Sequence, residues 1–230
     1  MNNVLLLHGA IGAMSQFTEL EKFLVNDFKV HSLNFPGHGG EPVPAEPFSI
    51  KMFAEDILRY LDSNGMEKIS IFGYSIGGYA VMYLARYSPN RVGKIFTLAT
   101  KFLWNEEISE HEVKMLNYDK IKEKVPAFAL ELGNRHTPQD LKTILNKTAE
   151  MMINLGKHNE LKSEDYLLIN PDVLVGIGDR DKTVTLNETV DVYKALPNGR
   201  LIVLPNTPRP FEGIETNRLA DEIKRFFKKK

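Results

Sequence analysis

Ser75 stands in the hexapeptide Gly73-Tyr74-Ser75-Ile76-Gly77-Gly78, with the apolar run Ile69 to Phe72 directly before it and a helix-forming stretch directly after it. A chain that passes from strand to helix through one serine must reverse within a residue or two. Such a turn strains the backbone of its central residue and presses the flanking positions against neighbouring main chain, where a Cβ would clash. Gly73 and Gly77 meet that need. The serine hydroxyl is then held clear of its own backbone, and the N–H of Ile76, opening the helix, points toward whatever Ser75 attacks.

The rest of the chain repeats this strand and helix alternation. Short apolar runs at Val4 to Leu7, Val30 to Phe35, Ile69 to Phe72, Ile95 to Leu98, Val173 to Ile177 and Leu201 to Leu204 read as buried parallel strands. Helical patterns at Ser15 to Val25, Met52 to Ser63 and Ala80 to Tyr87 fall between them, the last apolar on most of its faces and so expected to lie against the sheet behind Ser75. This order predicts an α/β fold with a mostly parallel sheet of about six strands and right-handed crossovers.

One segment departs from the alternation. Residues 101–168 hold no convincing strand and several helix signals, and are expected to form a helical cap inserted into a core made of residues 1–100 and 169–230. Within the cap, Thr137-Pro138 is expected to serve as N-cap and first-turn proline of a helix that Gly156 closes. Trp104, Met115, Phe128, Met151 and Met152 are candidates to line an acyl pocket, although such residues more often hold a cap together.

Composition narrows the partners. With 29 basic and 30 acidic residues the net charge is -1, which gives no electrostatic reason to expect nucleic acid or an anionic membrane. The absence of cysteine excludes disulfides, thiolate chemistry and cysteine metal sites. Neither a signal peptide nor a membrane-spanning stretch is evident, so the expectation is a cytoplasmic protein, monomer or homodimer, acting on a small molecule without cofactor or metal.

In an open parallel sheet, ligands bind beyond the carboxyl ends of the strands, and the unusual residues of this chain fall there. His8-Gly9-Ala10-Ile11-Gly12 follows the first strand, Phe35-Pro36-Gly37-His38-Gly39-Gly40 the second, Ser75 the third and Gly178-Asp179-Arg180-Asp181 the fifth. On these motifs the chain resembles the α/β-hydrolase fold superfamily over nearly its whole length, starting at what would be that fold's third strand. The resemblance implies a serine hydrolase whose nucleophile is Ser75 and whose oxyanion donors are the N–H groups of Ala10 and Ile76. It implies Asp181 as the triad acid, with Asp179 the alternative that spacing alone does not separate.

The same resemblance places the general base in the loop after the last strand, Leu204-Pro205-Asn206-Thr207-Pro208-Arg209-Pro210-Phe211-Glu212, which contains no histidine. The matching position holds Arg209. A guanidinium with a pKa above about 12 has no free acceptor and cannot take the serine proton. Of the six histidines, His8, His31 and His38 belong to the first loop, a strand and a turn, and are expected to be structural. His111, His136 and His158 lie in the cap, and only His136 has a conceivable reach over the cleft.

Two functions follow as expectations. The first is a serine hydrolase acting on a small ester, thioester or amide through an acyl-enzyme at Ser75, severely impaired because Arg209, paired with Asp181, stands in the histidine position. The second is a catalytically inactive binder that uses Arg209 and the oxyanion donors to hold a small carboxylate or other anion. Dehalogenase chemistry would want aspartate at the position of Ser75, and a metal hydrolase would want a ligand cluster that the sequence does not offer.

Overall fold

The computed structural model describes residues 1–228. Six strands, β1 (Asn2–Leu7), β2 (Phe28–Leu33), β3 (Ile69–Tyr74), β4 (Val92–Leu98), β5 (Val173–Arg180) and β6 (Gly199–Pro208), form one sheet in the order β2-β1-β3-β4-β5-β6. Every neighbouring pair is parallel. Strand β3, which leads into Ser75, therefore lies near the middle, between β1 and β4, and the loops after β1, β3, β5 and β6 open at the same edge.

Period-two side-chain alternation divides the core in two. Leu5, Leu7, Ile71 and Val175 point to one face, where they meet α2 (Ile50–Ser63) and α3 (Ile76–Tyr87) through Phe53, Ile57, Leu61, Val81 and Leu84. Val4, Leu6, Phe72 and Phe96 point to the other, against α1 (Thr18–Leu24) and the C-terminal helix through Leu20, Leu24, Leu219 and Ile223. Helix α3 buries nine of its residues, as its apolar faces require.

Helices α4 (Glu106–Val113), α5 (Tyr118–Lys124), α6 (Pro126–His136), α7 (Leu141–Lys157) and α8 (Ser163–Tyr166) fill the segment between β4 and β5. Leu116, Ile121, Leu132, Leu141 and Leu145 give this segment a small apolar cluster of its own. After β5 the chain continues through α9 (Leu186–Ala195) and β6 to α10 (Thr216–Lys228). Among the described residues no helix is long and apolar enough to cross a membrane.

Two sequence expectations fail here. Thr137-Pro138 does not start a helix: Thr137 closes α6, and α7 begins three residues beyond the proline with Asp140 as its N-cap. The Asp140 carboxylate accepts the Thr143 N–H at 2.8 Å and its hydroxyl at 2.7 Å, which makes it the stronger cap. Gly156 does not end α7 either; it lies inside the last turn, where a Cβ would collide with Ser109 Oγ, so the glycine serves the packing of α7 on α4. Asp140→Ala is expected to lower unfolding free energy by about 1 kcal/mol in urea titrations. An unchanged midpoint would show that the cap does not hold α7.

Candidate functional site

Ser75 sits between β3 and α3 with φ 52° and ψ -118°, a backbone conformation that costs on the order of 1–3 kcal/mol and persists only where the surroundings impose it. They do so at three points. The Ser75 N–H donates to Leu98 O at 2.8 Å, and Ser75 O accepts from Thr100 Oγ1 at 3.0 Å and from Tyr79 N at 3.2 Å. The glycines allow the approach: a Cβ on Gly73 would lie 2.6 Å from the Gly78 backbone, and one on Gly77 2.6 Å from His8 O.

The loop after β1 crosses beside the serine, since a Cβ on Gly9 would lie 3.1 Å from Ser75 Cβ. Ile11 there has φ 52°, and His8 fixes the loop by donating from Nδ1 to Gly9 O at 2.7 Å while its Nε2 accepts from Phe35 N at 3.1 Å. Ile76 is the first residue of α3, so its N–H has no partner within the helix. Among the described residues neither that N–H nor the one of Ala10 donates to another group. Ile76 follows Ser75 in the chain, and Ala10 follows Gly9, whose position packs on Ser75, so the two free donors lie on the loops of the neighbouring strands β3 and β1.

Asp181 lies in the turn after β5 with a fully buried side chain. Its Oδ1 accepts from Thr183 N at 2.8 Å and Val184 N at 2.9 Å, whereas Oδ2 is buried without a hydrogen-bond partner. Asp179 is occupied elsewhere: it accepts from Thr207 N at 3.1 Å, and the backbone N–H groups of Asn206 and Thr207 hold its carboxyl below the usual carboxylate range.

Arg209, the first residue after β6, reaches into the gap between serine and acid. Its Nη2 donates to Ser75 Oγ at 3.2 Å, and its Nη1 stands 3.6 Å from Asp181 Oδ2 and 3.4 Å from Ala99 O. The Tyr74 hydroxyl donates to Arg209 O and anchors the backbone of that loop, while burial pushes the phenol well above its ordinary range. Residues 75, 181 and 209, separated widely in sequence, therefore form one connected row.

Four of the six histidines, His8, His31, His38 and His136, are committed to structural bonds, and His111 and His158 are exposed on the segment between β4 and β5. His31 meets Tyr60 and Asn3, and His38 donates to Pro36 O at 3.0 Å. His136 does not lean over the cleft: it is fully buried, accepting from Gly39 N at 3.0 Å and donating to Ile11 O at 3.0 Å, so that it ties α6 to the β1 and β2 loops. Among the described residues no histidine bonds to Ser75 and no group of acids and histidines could hold a metal ion. Of the residues considered for an acyl pocket, Trp104 and Met151 are buried in the main core and Phe128 faces solvent. Met152 packs between two clusters, and Met115 lines a cavity together with Arg209.

Sequence reasoning missed the support of the acid turn. Lys101, three residues after β4, donates to Thr183 O at 2.9 Å and stands 3.5 Å from Glu188 Oε2, both side chains being almost fully buried. Glu188 also takes the N–H groups of Phe102 and Thr185. The Thr185-to-Glu188 capping box was legible as a motif, but nothing local marks Lys101 as its partner.

The profile of the alpha/beta hydrolase fold matches residues 2–155, and the chain belongs to that family. Among curated relatives, the esterase YbfF of Escherichia coli is 29% identical over 96 residues, which are 41% of this chain and 37% of the esterase. The human serine hydrolase-like protein is 29% identical over 119 residues, 51% of this chain and 58% of that protein. The match therefore spans less than two thirds of either relative. Among solved structures, the 2-hydroxy-6-oxo-6-phenylhexa-2,4-dienoate hydrolase of Rhodococcus superposes with a TM-score of 0.83 at 19% identity, covering 99% of this chain and 91% of that one. The enol-lactonase of Burkholderia xenovorans gives 0.82 at 17%, covering 99% and 92%. At those identities the likeness is one of fold.

Proposed function

We propose that this protein is a serine hydrolase of the alpha/beta hydrolase fold for small esters, thioesters or amides, with Ser75 as nucleophile and Asp181 as acid. In this reading Arg209 occupies the place of the general base and the chain is severely slowed. Ser75 Oγ attacks the substrate carbonyl, the Ala10 and Ile76 N–H groups take up the charge on its oxygen, and the alkoxide, thiolate or amine departs to leave an acyl-Ser75 that water cleaves. The segment 101–168 acts as the cap that bounds the substrate.

The observation that carries this reading is the row Ser75 Oγ, Arg209 guanidinium, Asp181 Oδ2, with gaps of 3.2 and 3.6 Å and an unsatisfied carboxylate oxygen at its end. An imidazole in that gap would accept from serine at one nitrogen and donate to the carboxylate at the other. A guanidinium has only donors, so among the described residues the serine proton meets no protein acceptor, and in this reading it passes to water. Relatives called esterase and serine hydrolase-like agree with the reaction class.

The test is labelling by a fluorophosphonate, followed by intact mass and peptide mapping. Slow modification at Ser75, abolished in Ser75→Ala and much faster in Arg209→His, is the expected result. Labelling that stays absent in Arg209→His, with the protein folded, would remove Ser75 from the mechanism and favour a non-catalytic anion binder.

A further inference from the structure

A cavity of about 420 Å³ opens beside the catalytic row, and Arg209 belongs to its wall. Its remaining charged walls are Arg180 and Lys182, which flank the buried Asp181, and among the described residues no acid lines it. This is a local departure in a chain whose net charge is -1. The cavity walled by Phe102 and Tyr166, by contrast, mixes Lys162 with Glu164, Glu188 and Asp191. Asp181 pairs with Arg209 at 3.6 Å from inside the fold, but its side chain is fully buried and presents no carboxylate to the cavity, and among the described residues Arg180 and Lys182 make no ion pair with it. Arg180 has one acidic neighbour, Asp179, at 3.9 Å, and that carboxylate is already held by the end of β6.

The same cavity is otherwise apolar. Met115, Pro208, Pro210 and the ring of Tyr74 line it, and Met115 is 60% exposed although it is a large hydrophobic side chain. A ligand that covers methionine and proline while meeting three cations is an amphiphilic anion. We propose that this cavity binds a carboxylate carried on a short apolar chain, its carboxylate between Arg180, Lys182 and Arg209 and its chain over Met115 and the two prolines. A carboxylate accepts charge-assisted hydrogen bonds from guanidinium and ammonium alike. Where the hydrolase reading holds, on which this extension rests, the substrate class narrows to acyl groups with a carboxylate at the far end.

Two experiments separate the site from the reaction. In the first, the unaltered chain is titrated by calorimetry with hexanoate and with hexanol. Hexanoate should bind at least about tenfold more tightly, weaken as salt is raised, and lose about tenfold in the double variant Arg180→Gln/Lys182→Glu. Equal binding of hexanol, no binding of hexanoate, or hexanoate affinity indifferent to the double variant would overturn the proposal. In the second, Arg209→His is assayed on the mono-p-nitrophenyl ester of adipate and on p-nitrophenyl hexanoate, which have equal chain length. A several-fold kcat/KM preference for the adipate ester, narrowed toward unity by the double variant, supports the substrate class; a preference for hexanoate contradicts it. Should Arg209→His cleave neither ester, the acyl-enzyme reading fails, and the hexanoate titration still decides the site.

Discussion

Replacing Arg209 by histidine is expected to raise turnover of p-nitrophenyl esters by at least about three orders of magnitude, or about 4 kcal/mol of barrier. This gain sits below the roughly millionfold cost of deleting a triad histidine in an intact enzyme, because the new imidazole enters a loop packed around an arginine. The setting favours the gain nonetheless. Asp181 Oδ2 is buried and lacks a hydrogen bond, and the loop carrying residue 209 is already fixed by the Tyr74 hydroxyl on its carbonyl. An imidazole N–H at Oδ2 would supply the missing bond and select the tautomer that leaves the other nitrogen free for Ser75. Arg209→Ala is the control, since it removes the cation without supplying a base. Equal gains in the two variants would mean that the arginine merely obstructed the site.

The second large effect is on stability in acid. His38 is buried against His8, His136, Phe48 and Phe53, and its burial lowers its pKa from 6.5 to about 4. His8 and His136 are lowered by burial as well, with Arg135 adding to the effect on both. In the unfolded chain a histidine takes up its proton below about pH 6.5, whereas His38 in the folded chain stays neutral down to about pH 4. Between those values the unfolded state binds more protons, so stability is complete above the window and falls as pH drops through it. At about 1.4 kcal/mol for each pH step of one within that window, His38 alone should cost about 2 kcal/mol by about pH 5 and about 3 kcal/mol near pH 4. Urea titrations across this range measure the loss. The variant His38→Gln, which keeps a donor for Pro36 O and does not titrate, should show the smaller pH dependence. An identical decline in both chains would assign the loss to other groups.

This acid sensitivity also reaches the proposed site. His136 holds Ile11 O, one residue beyond Ala10, and accepts from Gly39 through the nitrogen that a proton would occupy. Protonation turns that acceptor into a donor facing a donor, which releases the loop after β1 from α6.

The strands were the most legible part of the molecule, because buried parallel strands announce themselves as short apolar runs; five of the six runs lie within a strand, and the sixth, Val30 to Phe35, overlaps β2 but runs two residues past its end at Leu33. Their ends were less so. The last strand continues from Leu204 to Pro208 through an irregular step at Asn206, whose positive φ no apolar pattern encodes. The start of α7 was misplaced because a threonine-proline pair reads as a helix opening, while the better hydrogen-bonding cap lay two residues past the proline at Asp140.

Within the site, Ser75 could be picked out because a strained turn leaves glycines behind, whereas Asp179 and Asp181 were picked out through the resemblance of their loop to the family's acid loop. Arg209 could be picked out only as the occupant of a position where another residue type was expected. The choice between Asp179 and Asp181 was not available from spacing, since it depends on which carboxylate the end of β6 captures. Thr100, which braces Ser75 O, and Lys101, which braces the acid turn through Thr183, had no local signature at all. Their roles exist only once β4 lies beside β3 and β5.

The most direct measurement is the pH dependence of kcat/KM in Arg209→His on a neutral p-nitrophenyl ester, set beside the unaltered chain. A single rising limb with its midpoint near about 6.5, absent from the unaltered chain, is the signature of a neutral imidazole working between Ser75 and Asp181. A flat profile in the variant, or the same limb in both chains, would mean that position 209 is not where the proton goes.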